Sequence, residues 1–455
     1  MAARPNSFAF CGGAFGDEGK GRIVDEYVAD LATKKQVVVF RDNGGANAGH
    51  TVVLPDGTKI ALHQVPSGVF CEKAHAILGK EMVLHPGDLL LELSEIEHAA
   101  KKHPIGTITI DEQTILSLDT HRAFEAALKN WQTGSKGSTG RGISPAYADV
   151  LLRHPLRLID CIQNNKQKIT EHYTLYQALL AGLDQELSTA TAPTLNGTQQ
   201  TIGSLKEFTD RLLTQTKTLK KYCSDTMPFV RSAWADTQYA WVFEKAQAIG
   251  LDRRWGVYPD ITASNACLDG IDSATEGIIN SNEIMLRAGV IKATYMSSVG
   301  SRKLPTQMPT KLADRIRQDA GEYGATTKRP RDIAYLDLVA LRFYSQVGNL
   351  NALVLTHMDI SYPEVSLQVC TDYTKDGAAA PYRPDQTHLD TVSPVYQKLQ
   401  FWNPKDIQDA RTPSSIPKAA QALIDMIEDT IGIPVWMITT GSQRDQSLKL
   451  TVQKF

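Results

Sequence analysis

The chain has 455 residues, 48 lysines and arginines against 50 aspartates and glutamates, and a formal net charge of −2. So even a balance provides no global field for nucleic acid or an anionic membrane surface, and no stretch approaches the roughly 18 apolar residues of a membrane span. Six cysteines (11, 71, 161, 223, 267 and 370) form neither a C-x-x-C pair nor a metal-ligand spacing. Together with an N-terminus (1–7) that lacks the apolar stretch of an export signal, they predict reduced thiols in a cytoplasmic protein.

In chain order, Phe8-Ala9-Phe10-Cys11 is an apolar run, followed by Gly12-Gly13-Ala14-Phe15-Gly16-Asp17-Glu18-Gly19-Lys20-Gly21 and an amphipathic run over 23–31. Strand, glycine loop, helix is the arrangement that holds phosphate: unobstructed backbone N–H groups and a helix N-terminus converge on the anion. The ordinary G-x-x-x-x-G-K-[ST] pattern is not met, because Ala14 stands at the first glycine and Gly21 at the hydroxyl. The adjacent carboxylates Asp17 and Glu18 inside such a cradle call for a metal to bind or a proton to take.

Residues 36–40 predict a second buried strand, and 51–53 with 60–62 a hairpin around Pro55-Asp56-Gly57-Thr58. A loop over 63–68 and a short strand at 76–79 follow. Helical spacing covers 86–102 with Leu89, Leu90, Leu93 and Ile96 on one face, then a strand at 107–110 and a helix at 123–131. Residues 188–203 read as a solvated surface loop, 230–249 as helix then strand, and 352–355 as a strand. A polar hairpin excursion is expected over 374–394, an amphipathic helix over 419–431 and a last strand over 434–438. This alternation predicts an α/β fold with a large, mostly parallel sheet flanked by helices. No repeat or linker divides the chain, so 1–455 is read as one domain with surface insertions near 188–203 and 374–394.

The segments G-D-E-G-K-G (16–21) and N-A-G-H-T (47–51) resemble the adenylosuccinate synthetase family, GTP-dependent ligases with a P-loop-like fold that join IMP to aspartate. The resemblance runs from Gly12 to Gly441. It implies two steps: GTP phosphorylates O6 of IMP, and aspartate displaces that phosphate. By the same resemblance Asp17 is the base for the N1 proton and a ligand, with the Gly49 carbonyl, of Mg²⁺. His50 stabilises the transferring phosphoryl group, and Lys20 contacts phosphate beside Gly16, Gly19 and Gly21. Taken alone, Asp17 could be a helix-start carboxylate and His50 a loop histidine.

For the IMP phosphate, the run Lys136-Gly137-Ser138-Thr139-Gly140-Arg141-Gly142 has anion-binding composition. The resemblance assigns Ser138, Thr139, Asn47 and Thr262 to IMP, Gln247 to its hypoxanthine edge, and Leu251 and Val299 to packing on base or sugar. It also implies a homodimer in which Arg153 reaches the neighbouring subunit's site. Thr326, Thr327 and Arg329 would hold the aspartate substrate, with Arg329 also near IMP, and Arg331 would reach the GTP phosphates. Asp359 resembles the carboxylate that reads guanine N1–H and N2–H₂, with His357 along the base and Thr440 and Gly441 closing over it.

Several positions depart from the family pattern. Ala14-Phe15 stand for Gln-Trp, Lys245 and Ala248 for glycines, Ser301-Arg302-Lys303-Leu304 for a Gly-Pro-Phe run, and Pro330 interrupts the arginines. Most of these flank the purine, which leaves open a paralogue that uses another nucleotide such as dGMP or another phosphate donor, or an inactive GTP-binding scaffold. The presence of Asp17, His50 and Arg329 together speaks for the ligase.

Overall fold

Ten segments, apolar and buried on both faces at the centre of the sheet, make its strands: β1 (Arg4–Gly12), β2 (Gln36–Arg41), β3 (Ala74–Leu78), β4 (Thr107–Asp111), β5 (Cys223–Ser224), β6 (Tyr239–Ala248), β7 (Ile284–Lys292), β8 (Ala352–Thr356), β9 (Val435–Thr439) and β10 (Ser447–Lys449). The computed structural model describes residues 3–54, 56–131, 138–298, 302–324 and 330–450. The ten strands form one sheet in the order β5-β4-β3-β2-β6-β1-β7-β8-β9-β10. Every neighbouring pair is parallel except β9 with β10.

A parallel sheet must be covered on both faces, which is why Val37, Val38, Val39 and Phe40 form an unbroken apolar run with no exposure. Val37, Val39 and Phe10 pack with helix α1 (Lys20–Ala32) through Ile23, Val24 and Val28. Val38, Phe40, Trp241 and Phe243 face the opposite layer with Ile291 and Leu355. Each such buried side chain contributes roughly 2 kcal/mol, before the entropy of ordering is subtracted. Tyr27 of α1 lies edge-on to Phe8 at 4.6 Å and Trp436 at 5.2 Å, which fixes the helix over β1 and β9.

The hairpin forms as predicted: His50–Val53 pairs antiparallel with Lys59–Leu62. Two expectations change. Within 188–203, Thr191–Pro193 pairs with Gln199–Thr201, and Leu187, Ala192 and Ile202 are buried, so the segment is an anchored hairpin. Its anchor is long-range: Arg122 donates to the Pro193 carbonyl at 2.6 Å, and Arg141 to Thr194 at 3.0 Å. The excursion expected at 374–394 begins earlier, because Ser366–Lys375 pairs with both Ala378–Ala380 and Ser393–Gln400 over buried Tyr373 and Tyr382.

The chain runs outward in both directions from β1, so the carboxyl ends of β1, β2, β6, β7, β8 and β9 open on one side. Ligands of doubly wound sheets bind there. Among the described residues, no helix is long and apolar enough to cross a membrane.

Candidate active site

Along those carboxyl ends lies a cavity of about 910 Å³, within the range of small-molecule sites. Its wall includes Gly16, Asp17, Gly19, Lys20 and Gly21 from the first loop, Asn47, Gly49 and His50 from the second, and Ser138 and Thr139. Gln247, Leu251, Thr262, Arg331, His357, Asp359 and Gly441 complete the predicted set on it. Thr440 is buried while Thr439, Gly441 and Ser442 line the wall. Arg153 is exposed and lies off this cavity. Val299, Thr326, Thr327 and Arg329 fall outside the described residues.

The first loop separates its two carboxylates. Glu18 turns inward, accepting from the Gly16 N–H at 2.7 Å and the Ala14 N–H at 3.3 Å, and pairs with Lys20 Nζ at 2.8 Å. It therefore holds the loop's shape and sets Lys20, which is only 4 % exposed. Asp17, at φ 57°, points into the cavity and pairs with Arg331. One carboxylate organises the cradle, and the other stands on the cavity wall, held by Arg331. Arg331 also donates to Glu322 at 2.8 Å, and Glu322 accepts from Lys292 and, at 2.5 Å, from Tyr295.

His50 is fixed from β6. Its Nδ1 lies 2.5 Å from Glu244 Oε1, and Ser67 donates to Glu244 through its N–H at 2.7 Å and its hydroxyl at 2.5 Å. Burial pushes the Glu244 carboxyl up, but His50, Arg41 and Ser67 outweigh it and hold it at about 2. Burial keeps His50 below its ordinary value against the pull of Glu244. An ionised Glu244 thus fixes the Nδ1–H tautomer and leaves Nε2 for the cavity. Glu244 and Ser67 were not singled out in the sequence; the signal there was a carboxylate inside a strand, three residues before Gln247.

Gln247 occupies the left-handed region at φ 60°. Its Oε1 accepts from Ser264 at 3.0 Å and lies 3.5 Å from Asn43 Nδ2, which orients the amide and leaves a buried Nε2 with no hydrogen-bond partner among the described residues. Such an orphan donor on a cavity wall suits a heteroatom of a bound base. Gly44 makes room for it: a Cβ there would lie 2.5 Å from Ala246 Cβ and 3.2 Å from the Gln247 amide.

Ser138, also on the cavity wall, donates to Glu125. Arg141, from the same run, turns inward to carbonyls and to Asp88 rather than to the cavity, which corrects its reading as part of the anion receptor. At the far end, half-buried His357 is held at about 4 by burial and Lys292, so the ring is neutral; it lies 5.8 Å from the Tyr295 ring. Burial raises Asp359 from its ordinary value.

Two of the departures from the family pattern, Phe15 and Arg302, meet one another. The Arg302 guanidinium sits 4.8 Å over the Phe15 ring and donates to the Gly250 carbonyl at 3.4 Å and to the Asp260 carbonyl. Lys245 is neutralised by Asp42, both fully buried.

Away from the cavity, His121, Asp149 and His172 approach one another closely enough to hold a cation. However, His121 Nδ1 accepts from the Leu118 N–H at 2.9 Å, so its Nε2 carries the ring proton, donated to Asp149 at 2.9 Å. That ring has no lone pair left for a metal, and the trio is a buried hydrogen-bond network.

A family model described as adenylosuccinate synthetase matches residues 9–448. The adenylosuccinate synthetase of Magnetococcus marinus is 32 % identical over 442 residues, covering 96 % of each chain. That of Trichlorobacter lovleyi is 31 % identical over 444 residues, covering 96 % of this chain and 97 % of its own. The solved structure of fully ligated adenylosuccinate synthetase from Plasmodium falciparum superposes with a TM-score of 0.83 at 25 % identity, covering 98 % of this chain and 99 % of the other. The succinoaminodeoxyadenylate synthetase of cyanophage S-2L, solved with dGMP and dATP, shares the fold at a TM-score of 0.61 and 16 % identity, covering 99 % and 97 %. The chain belongs to the adenylosuccinate synthetase family, the GTP-dependent ligases of purine nucleotide biosynthesis.

Proposed function

We propose that this chain, acting as one domain in the cytoplasm, converts IMP, L-aspartate and GTP to adenylosuccinate, GDP and phosphate through the residues assigned above. The observation that carries the assignment is the meeting of Asp17, His50 on its Glu244 support, and the orphan amide of Gln247 around one cavity. Gln247 holds the hypoxanthine edge, with Leu251 and Val299 packed on base or sugar. Ser138, Thr139 and Thr262 hold the 5′-phosphate, and Asn47 binds IMP with them. Asp17 takes the N1 proton, which makes O6 the nucleophile toward the γ-phosphorus. His50 offers Nε2 to the transferring group, while Lys20, Gly16, Gly19, Gly21 and Arg331 meet the charge on the GTP phosphates. Asp359, His357, Thr440 and Gly441 hold guanine. The amine of aspartate, bound by Thr326, Thr327 and Arg329, then attacks C6 and expels phosphate.

The cavity also carries a hard-oxygen donor pair, the Asp17 carboxylate and the Gly49 carbonyl, which fits Mg²⁺. When bound, that ion neutralises phosphate charge. Arg153 is exposed beside Leu151 and Leu152, which are 77 % and 66 % exposed. An arginine flanked by uncovered leucines supports a homodimer in which Arg153 serves the partner's site.

Mass analysis of products tests the function: protein, Mg²⁺, aspartate and GTP are incubated with IMP and, in parallel, with dGMP. Adenylosuccinate from IMP, absent when aspartate is omitted, is expected. Product from dGMP alone, or GTP turnover without ligation, would overturn the assignment.

A further inference from the structure

We propose that Glu125 is a resident anion in the IMP phosphate cradle, a carboxylate that occupies the phosphate's donors until the nucleotide displaces it. The inference rests on the reading that Ser138 and Thr139 hold that phosphate. Glu125 lies on the helix Asp119–Trp131 and lines the same cavity as both residues. One carboxylate oxygen accepts from the Ser138 hydroxyl; the other accepts from the Gly142 N–H at 2.6 Å. Gly142, at φ 71°, is the N-cap of the helix Ile143–Leu151, so this second oxygen lies against the partial positive charge of a helix start. A hydroxyl and a helix-start N–H shared by one anion is the donor set of a phosphate oxygen pair.

Charge makes the two occupants exclusive. Arg141, the cation in the same run, is committed to the carbonyls of Pro193 and Thr194 and to Asp88. Lys129, one helical turn beyond Glu125, lines the same cavity and is placed to receive the carboxylate once it swings out. A phosphate dianion entering beside a seated Glu125 would meet repulsion and find its donors taken. The apparent affinity for nucleotide is then lower than the intrinsic one by the fraction of molecules in which Glu125 has left. The cost falls on the phosphate alone, because Glu125 takes donors of the phosphate cradle while the base is held by a different residue, Gln247.

The test measures equilibrium binding of IMP and of inosine, which lacks the phosphate, to the full-length wild type and to Glu125→Gln. Glutamine keeps the size and one acceptor but no charge. The expected result is IMP binding tighter by about tenfold with inosine unchanged, since only the phosphate-competent fraction rises. Weaker IMP binding, no change, or an equal change for IMP and inosine would overturn the proposal, because each makes Glu125 an organiser of the loop. A parallel Ser138→Ala, Thr139→Val variant separates this from the underlying reading. If it leaves the preference for IMP over inosine intact, the phosphate sits elsewhere and the cradle assignment itself fails. Thermal melting confirms that each variant is folded, and Glu125→Ala, without any acceptor, must reproduce the tighter IMP binding.

Discussion

Replacing Glu244 with glutamine removes one charge from beneath His50 while keeping its shape. The carboxyl is held at about 2 against an ordinary 4.5, which corresponds to roughly 3 kcal/mol of interaction favouring the ionised form. That sum is shared among His50, two donors from Ser67 and the Arg41 guanidinium. Arg41 is fully buried with no hydrogen-bond partner for any guanidinium nitrogen among the described residues, so Glu244 is a principal counter-charge. Glu244→Gln should therefore lose up to about 3 kcal/mol near neutral pH, a Tm lower by about 3 °C for a chain of this size. Because the folded-state value is depressed, this stability is present above about 4.5 and lost as pH falls toward 2. The melting curves of variant and wild type should converge over that window. Activity should suffer more: a glutamine amide holds either ring tautomer and cannot stabilise the imidazolium, so kcat should fall about 100-fold with KM little changed. Steady-state assays at pH 7 check this; a kcat within threefold of wild type would refute the account of His50.

Gln247→Leu removes the amide whose Nε2 stands without a partner among the described residues on the cavity wall. kcat/KM for IMP should fall roughly 50-fold, about 2 kcal/mol for a buried hydrogen bond, while the KM for GTP stays unchanged in the same assay. Arg302→Leu takes away the donor to the Gly250 and Asp260 carbonyls and the cation over Phe15. Nucleotide KM should rise with kcat nearly constant, and chemical denaturation should show a loss of about 2 kcal/mol. Leu151→Asp places a charge among the uncovered residues beside Arg153; sedimentation should show monomer, and activity should fall with it and recover at high protein concentration.

The strand–loop–helix at the N-terminus was legible because its causes are local. An apolar run makes β1, a left-handed Gly19 at φ 87° starts α1, and the apolar positions recur on one face of that helix. The parallel sheet followed from short apolar runs that only a doubly covered sheet explains. The local signal fails where partners are remote. Residues 188–203 carry no apolar period, and remote partners, Arg122 and Arg141 among them, convert them to an anchored hairpin. Neighbouring carboxylates looked alike until the backbone turned at Asp17, sending Asp17 into the cavity and Glu18 into the loop. Likewise the run 136–142 showed an arginine but not its direction. His50 and Glu244 are 194 positions apart and meet because β2 and β6 are sheet neighbours. The sequence alone determined which chemical groups the protein owns and the family to which it belongs. Tertiary structure decided which groups are paired, buried or left with an unmatched donor, because strand order and burial are set by the packing of distant segments rather than by their neighbours in the chain.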